Sequence, residues 1–188
     1  MVWLVVLLLI LFVLALFVGR YPSPGIMDPT RLSTDVLAQR LVFNLRLPRM
    51  IAAVLLGMGL AASGAVLQMI FGNPLVEPGF LGVSQGAGFG AAVSIIFISH
   101  NIWAVQITAT LFAFLGMASS YFIARRVKFG GWLLRLVLAG IAISALFSSG
   151  LGILKYVADP LSELPEITFW LLGTLWAITW PQVLSVLP

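Results

Sequence analysis

Asn73-Pro74-Leu75-Val76-Glu77-Pro78-Gly79-Phe80-Leu81-Gly82-Val83-Ser84-Gln85-Gly86-Ala87 joins two long apolar runs, 50–71 and 80–99, through a short polar break. Proline has no backbone donor and disfavours helical geometry in the residue before it, so Asn73-Pro74 and Glu77-Pro78 each stop a helix. A helix rises about 1.5 Å per residue, and about 20 apolar residues cross the ~30 Å hydrocarbon layer of a bilayer. Both flanking runs reach that length. Their apolar character is continuous rather than alternating, which predicts spanning helices and not barrel strands.

Working outward, the same reading gives spans at 1–19, 102–124 and 132–157, making five in all. A sixth begins near Ile167 and is expected to be interrupted at Trp180-Pro181. The expectation is an all-α, polytopic transmembrane helix bundle of five complete spans and the start of a sixth. It is read as one transmembrane domain over 1–188, cut short at its C-terminus. The first run lacks a basic residue ahead of it, and Leu16-Phe17-Val18-Gly19 lacks a small-x-small cleavage pattern. It is expected to be a retained span rather than a cleaved leader.

Composition agrees. Of 188 residues, 61% are hydrophobic and 9% charged, against roughly 25% charged in an ordinary soluble domain. Mean hydropathy is +1.13. No cysteine is present, which excludes disulfides and thiolate chemistry within the chain. The net charge of +4 does not point to nucleic acid, because the Lys and Arg residues lie mainly in the connections.

Residues 20–49 form a long polar connection with Pro22, Pro24 and Pro29 and with Arg20, Arg31, Arg40, Arg46 and Arg49. Within it Leu32, Val36, Leu37, Leu41 and Leu45 recur at helical spacing, predicting a short amphipathic helix over 32–45. The 125–131 connection carries Arg125, Arg126 and Lys128, and 158–166 is acidic, with Asp159, Glu163 and Glu166. Basic residues divide almost evenly between the two sides, so charge alone does not orient the chain.

Small residues recur every fourth position at Gly82, Gly86, Gly90 and Ser94, at Gly140, Ser144, Ser148 and Gly152, and at Gly57, Ala61 and Ala65. Positions four apart share a helix face, and small residues there let backbones approach closely. Such stripes read as tight helix packing, with helix sliding or tilting as the second possibility. Pro74, Glu77 and Pro78 serve either a plain interfacial turn or a hinge. Glu77 belongs at the water interface, because an unpaired carboxylate deep in lipid costs several kcal/mol.

Arg46 and Arg49 flank Pro48 at the start of the second span, where two cations oppose the helix dipole. Lipid phosphates and an acidic partner surface are both suitable ligands for them. His100 is the only histidine, with no carboxylate near it in the sequence, and reads as structural. Gln68 and Gln106 read as helix–helix hydrogen bonders, with pore lining as the second possibility. Gly86-Ala87-Gly88-Phe89-Gly90 lacks the full spacing and the strand of a dinucleotide loop, and no phosphate loop occurs. If ATP drives this protein, another chain binds it.

Three segments together resemble the FecCD-type permeases of bacterial ABC importers for iron-siderophores, haem and cobalamin. They are Arg46-Leu47-Pro48-Arg49, Ser63-Gly64-Ala65-Val66-Leu67-Gln68 and the Asn73 to Ala87 run. Weaker likeness continues at Arg135-Leu136-Val137-Leu138-Ala139-Gly140 and Phe169-Trp170-Leu171-Leu172-Gly173. The resemblance implies a ten-span permease in the bacterial or archaeal cytoplasmic membrane. It implies pairing with a second permease subunit, two cytoplasmic ATPase subunits and an extracytoplasmic substrate-binding protein. It places the N-terminus and the 125–131 connection in the cytoplasm. It puts Arg46 and Arg49 where the binding protein docks, Asn73 and Leu75 at a cytoplasmic constriction, and the span from Leu138 along the route. No cofactor, resident metal or catalytic residue is implied.

Two departures stand out. Some relatives carry small hydroxyl residues before the arginine equivalent to Arg135, as part of a gate. Here Trp132-Leu133-Leu134 stands instead, so that gate is not carried over. The segment that couples such permeases to their ATPases is also absent from these residues, and the reading expects a fragment of a longer protein. An ion-coupled secondary carrier is the rival, but it calls for ionisable residues deep within spans, and Arg135 and Lys155 each lie near an edge. A structural subunit of a membrane complex, needing packing stripes alone, is the other.

Overall fold

The structure is a computed structural model describing residues 2–74, 76–175 and 178–186. It divides into two compact units, Met1–Gly59 with Leu175–Pro188, and Leu60–Thr174.

In the first unit, α1 (Val2–Phe17) is an apolar helix with no buried residue. A minimal antiparallel ribbon follows, pairing Val18 with Ile26 and Gly19 with Gly25. Met27 N–H then donates to Phe17 carbonyl at 2.9 Å, folding the connection back on the end of α1. Two short helices come next, α2 (Arg31–Thr34) and α3 (Val36–Arg40). Asp35, in extended geometry between them, caps α3 by accepting from the backbone N–H groups of Leu37 and Ala38.

The chain continues as a π-helical turn, Leu41–Arg46, into α4 (Leu47–Phe71). At Leu47 the backbone donates five residues back, to Val42 carbonyl. The widened turn stands directly before the buried Pro48, whose ring would otherwise crowd the carbonyl four residues earlier.

The helix expected over 32–45 is present in two pieces, with a different buried face from the one expected. The regular period is broken at Asp35 and reset by the π turn. Met27, Ala38 and Val42 form the buried cluster, while Val36 and Leu37 are 64% and 53% exposed. The last element of this unit is α9 (Trp180–Val186), with Trp180 Nε1–H donating to Phe43 carbonyl at 2.9 Å.

The second unit is a helix bundle. After α4, a 3₁₀ turn (Pro78–Leu81) leads into α5 (Val83–Val93), which ends in a π turn, Ser94–Ile98. Then come α6 (Ile102–Arg126), α7 (Trp132–Val157) and α8 (Glu163–Leu172). One apolar cluster joins α5, α6, α7 and α8 through Ala91, Ala92, Ile95, Val105, Ala109, Leu151 and Ile167. A second lies around the α4–α5 break, with Phe71, Val76, Leu81, Ala124, Leu136 and Ala139.

Large apolar side chains such as Ile107, Leu111, Phe114 and Phe122 stand exposed on α6. That is the pattern of a helix facing hydrocarbon. Val36–Phe71, Ile102–Arg126 and Trp132–Val157 are each long and apolar enough to cross a bilayer. The expected first and third spans are shorter apolar helices, Val2–Phe17 and Val83–Ile98. The break expected at Trp180-Pro181 lies earlier. α8 stops at Gly173, whose left-handed φ of 64° ends the helix, and Trp180-Pro181 opens α9.

Candidate functional site

The break between α4 and α5 is built from two caps. Gly72, at φ 56°, ends α4, and Asn73 N–H reaches back to Gln68 carbonyl at 3.3 Å, the long bond of a Schellman motif. Only a residue without a side chain takes that φ without strain. Val76 N–H donates to Asn73 carbonyl at 3.4 Å, and Phe80 N–H to Glu77 carbonyl at 3.2 Å. Pro78 then opens the 3₁₀ turn, and Gly82, at φ 81° and ψ 4°, redirects the chain into α5.

Asn73, Pro74 and Glu77 are exposed, Pro78 is half-buried and Val76 is buried in the second cluster. Leu75, read as half of a constriction, lies outside the described residues. The break thus presents an amide and a carboxylate outward, and anchors itself inward through Val76 and Leu81. The Phe71 and Phe80 rings meet edge to face across it, 6.5 Å apart.

The 3₁₀ half of the break is held by α6 and α7. Ser120, fully buried on α6, donates from Oγ to Leu81 carbonyl at 2.9 Å. A Cβ on Gly116 would lie 2.6 Å from Gly82 carbonyl oxygen, and one on Gly140 would lie 2.7 Å from Phe80 carbonyl oxygen. Further along α5, a Cβ on Gly86 would lie 2.5 Å from Phe112 carbonyl oxygen, and one on Gly90 2.7 Å from Thr108 carbonyl oxygen. Gly82, Gly86, Gly90 and Gly140 therefore all stand at close helix approaches. Ser144 is half-buried, while Gly152 and Gly57 face open space, with nothing within 4 Å of a built Cβ.

Ser120 and Gly116 escaped the sequence reading, although their four-residue spacing is the signal used for the other stripes. His100 keeps the structural reading, but its partner was missed. Its Nδ1 lies 2.7 Å from Glu166 Oε2, a carboxylate that is distant in the chain and adjacent in the fold.

Arg46 and Arg49, in the first unit, are both half-buried. Arg46 Nη1–H donates to Leu16 carbonyl at 2.8 Å, placing a cation on the last turn of α1, where the helix dipole is negative. Arg135 is used within the second unit. Its Nη1–H donates to Val127 carbonyl at 2.6 Å and its guanidinium stands 5.9 Å from the centre of the Trp132 ring. Among the described residues, no group of three or more His, Asp or Glu side chains is placed to hold a metal ion.

The chain is 37% identical over 188 residues to the molybdate import system permease MolB of Haemophilus influenzae, covering 96% of this chain and 55% of that one. It is 37% identical over 156 residues to the hemin transport permease HmuU of Yersinia pestis, covering 81% and 46%. With the vitamin B12 import permease BtuC of Escherichia coli it shares 33% over 189 residues, covering 97% and 55%. A solved structure described as an inward-facing metal-chelate type ABC transporter superposes with a TM-score of 0.83 at 36% identity, over 96% of this chain and 55% of that one. The chain thus spans about half the length of the relatives it matches. The family model of the FecCD transport family matches residues 7–188, and by that match and these identities the chain belongs to the FecCD transport family.

Proposed function

We propose that these residues form part of the membrane permease of an ATP-driven importer that moves a metal chelate, foremost a ferric-siderophore, by alternating access. The observation that carries this is the two-capped break between apolar helices α4 and α5. It is a non-helical segment with exposed Asn73 and Glu77, embedded in a chain of an importer family. In lipid, irregular backbone is tolerated only where protein or a water-filled route supplies partners, so a break with outward polar groups supports the reading of a pathway wall.

On this reading Asn73 and Leu75 narrow the route at its cytoplasmic end, with Pro74, Glu77 and Pro78 as the hinge. Arg46 and Arg49 dock an extracytoplasmic binding protein. The permease pairs with a second copy or a close homologue, and two cytoplasmic ATPases drive the pair in a bacterial or archaeal cytoplasmic membrane. Nucleotide state in those partners shifts the population between two packings of the bundle. The permease forms no covalent bond with its cargo.

The test is uptake by the full-length importer in proteoliposomes, using ferric-siderophore, haem, cobalamin and molybdate. Molybdate belongs in the panel because MolB matches over nearly the whole chain. ATP-dependent accumulation of a chelate supports the reading, and exclusive accumulation of molybdate moves the cargo to an oxyanion. Asn73→Trp is expected to slow uptake while leaving assembly and ATPase docking unchanged. Wild-type uptake by that variant reduces the break to a turn.

A further inference from the structure

We infer that the α4–α5 break has one fixed half. The backbone of Phe80–Gly82 is clamped to α6 and α7, Ser120 is the positioning residue of the clamp, and any pivot between α4 and α5 therefore lies before Phe80. The inference rests on the reading of the break as a hinge.

Three successive carbonyls carry the argument. Phe80 oxygen faces Gly140 on α7, Leu81 oxygen accepts from Ser120 Oγ, and Gly82 oxygen faces Gly116 on α6. The two glycine approaches are close enough that a single added methyl would collide with backbone, and backbone cannot yield as a flexible side chain can. Ile143 seals the same point from α7, with its Cγ2 2.8 Å from a Cβ built on Gly82. Ser120 has no exposed surface, so sliding α6 past the turn would strand both a hydroxyl and a carbonyl in an apolar interior. Interfaces packed this tightly move as a body or jump between discrete fits, and do not creep. Upstream, Val76 is held by apolar packing in the second cluster, Asn73, Pro74 and Glu77 are exposed, and the backbone bonds at Asn73 and Val76 are longer, at 3.3 and 3.4 Å.

The experiment uses the full-length importer on a cysteine-free background, spin-labelled in pairs and studied without nucleotide, with ATP and with trapped transition-state analogue. The Gln85/Met117 pair reports α5 against α6, and its spin–spin coupling is expected to stay constant in all three states. The Ile70/Met117 pair reports α4 against the clamp and is expected to change. A change in the Gln85/Met117 pair overturns the clamp. Constancy of both pairs during active uptake supports the clamp and removes the hinge, so the two ideas fail separately.

Ser120→Ala, a change that leaves no steric conflict, is expected to broaden the Gln85/Met117 coupling and to lower the cargo moved per ATP several-fold. Ser119→Ala is the control. If Ser120→Ala shows wild-type coupling and wild-type cargo per ATP, Ser120 is not the positioning residue.

Discussion

His100 Nδ1 stands 2.7 Å from Glu166 Oε2, tying the turn before α6 to the first turns of α8. With the carboxylate ionised, Nδ1–H donates. Glu166 also sits where negative charge suits the positive end of the α8 dipole. The two side chains are 57% and 40% exposed, so their attraction is that of a surface pair, at most about 1 kcal/mol. A double-mutant cycle of His100→Ala and Glu166→Gln, read by thermal unfolding in detergent, should return a coupling of that size that shrinks as salt rises. A coupling indifferent to salt would mean that the contact is packing rather than charge.

The α5–α6 approach predicts a contrast between two glycines. Gly86→Ala would set a methyl 2.5 Å from Phe112 carbonyl oxygen and is expected to destabilise by roughly 1–3 kcal/mol, the range for overpacking. Gly152→Ala meets nothing within 4 Å and is expected to be neutral or to stabilise by up to about 1 kcal/mol through helix propensity. Melting temperatures of the two purified variants decide, and equal effects would deny that the backbones touch at Gly86.

In the first unit Tyr21 OH donates to Asp35 Oδ2 at 2.6 Å. That bond, with the N–H of Leu37 next, holds the Asp35 carboxyl below its ordinary 3.8, and the same bond raises Tyr21 above its ordinary 10.0. A lowered carboxyl contributes stability above 3.8 that is lost as pH falls through its folded value. A raised phenol contributes below 10.0 and is lost as pH rises through its folded value. Limited proteolysis of the 20–35 connection should therefore be slowest between those limits and accelerate outside them. Tyr21→Phe should cleave faster within the window and lose the alkaline limb. A flat pH profile would remove the pair from the fold of this connection.

Arg46 offers a prediction that separates two roles. Its bond to Leu16 carbonyl is charge-assisted and should be worth roughly 1.5–3 kcal/mol, so Arg46→Ala should loosen the end of α1 in hydrogen exchange. If Arg46 also docks a binding protein, Arg46→Glu with Arg49→Glu in the full-length protein weakens that association with a steep salt dependence. Faster exchange with unchanged association would confine Arg46 to the cap.

How much of this was legible beforehand follows from the range of each interaction. The apolar runs, the two prolines and the glycines at Gly72 and Gly82 are local constraints, so the helices and the break could be read residue by residue. The helix over 32–45 formed, but one cap at Asp35 and one widened turn before Pro48 broke its even leucine spacing and changed which face is buried. The spacing of Gly116 and Ser120 was a local signal, but their partners, like that of His100, lie 34, 39 and 66 positions away, and no local pattern names a partner.

Taken alone, the sequence determined that this chain is a set of apolar helices interrupted at Asn73–Pro78, because burying backbone in lipid leaves few other solutions. Only the tertiary structure decided which half of that interruption is held. Three carbonyls against one serine and two glycines is an arrangement that exists only once α6 and α7 have packed beside it.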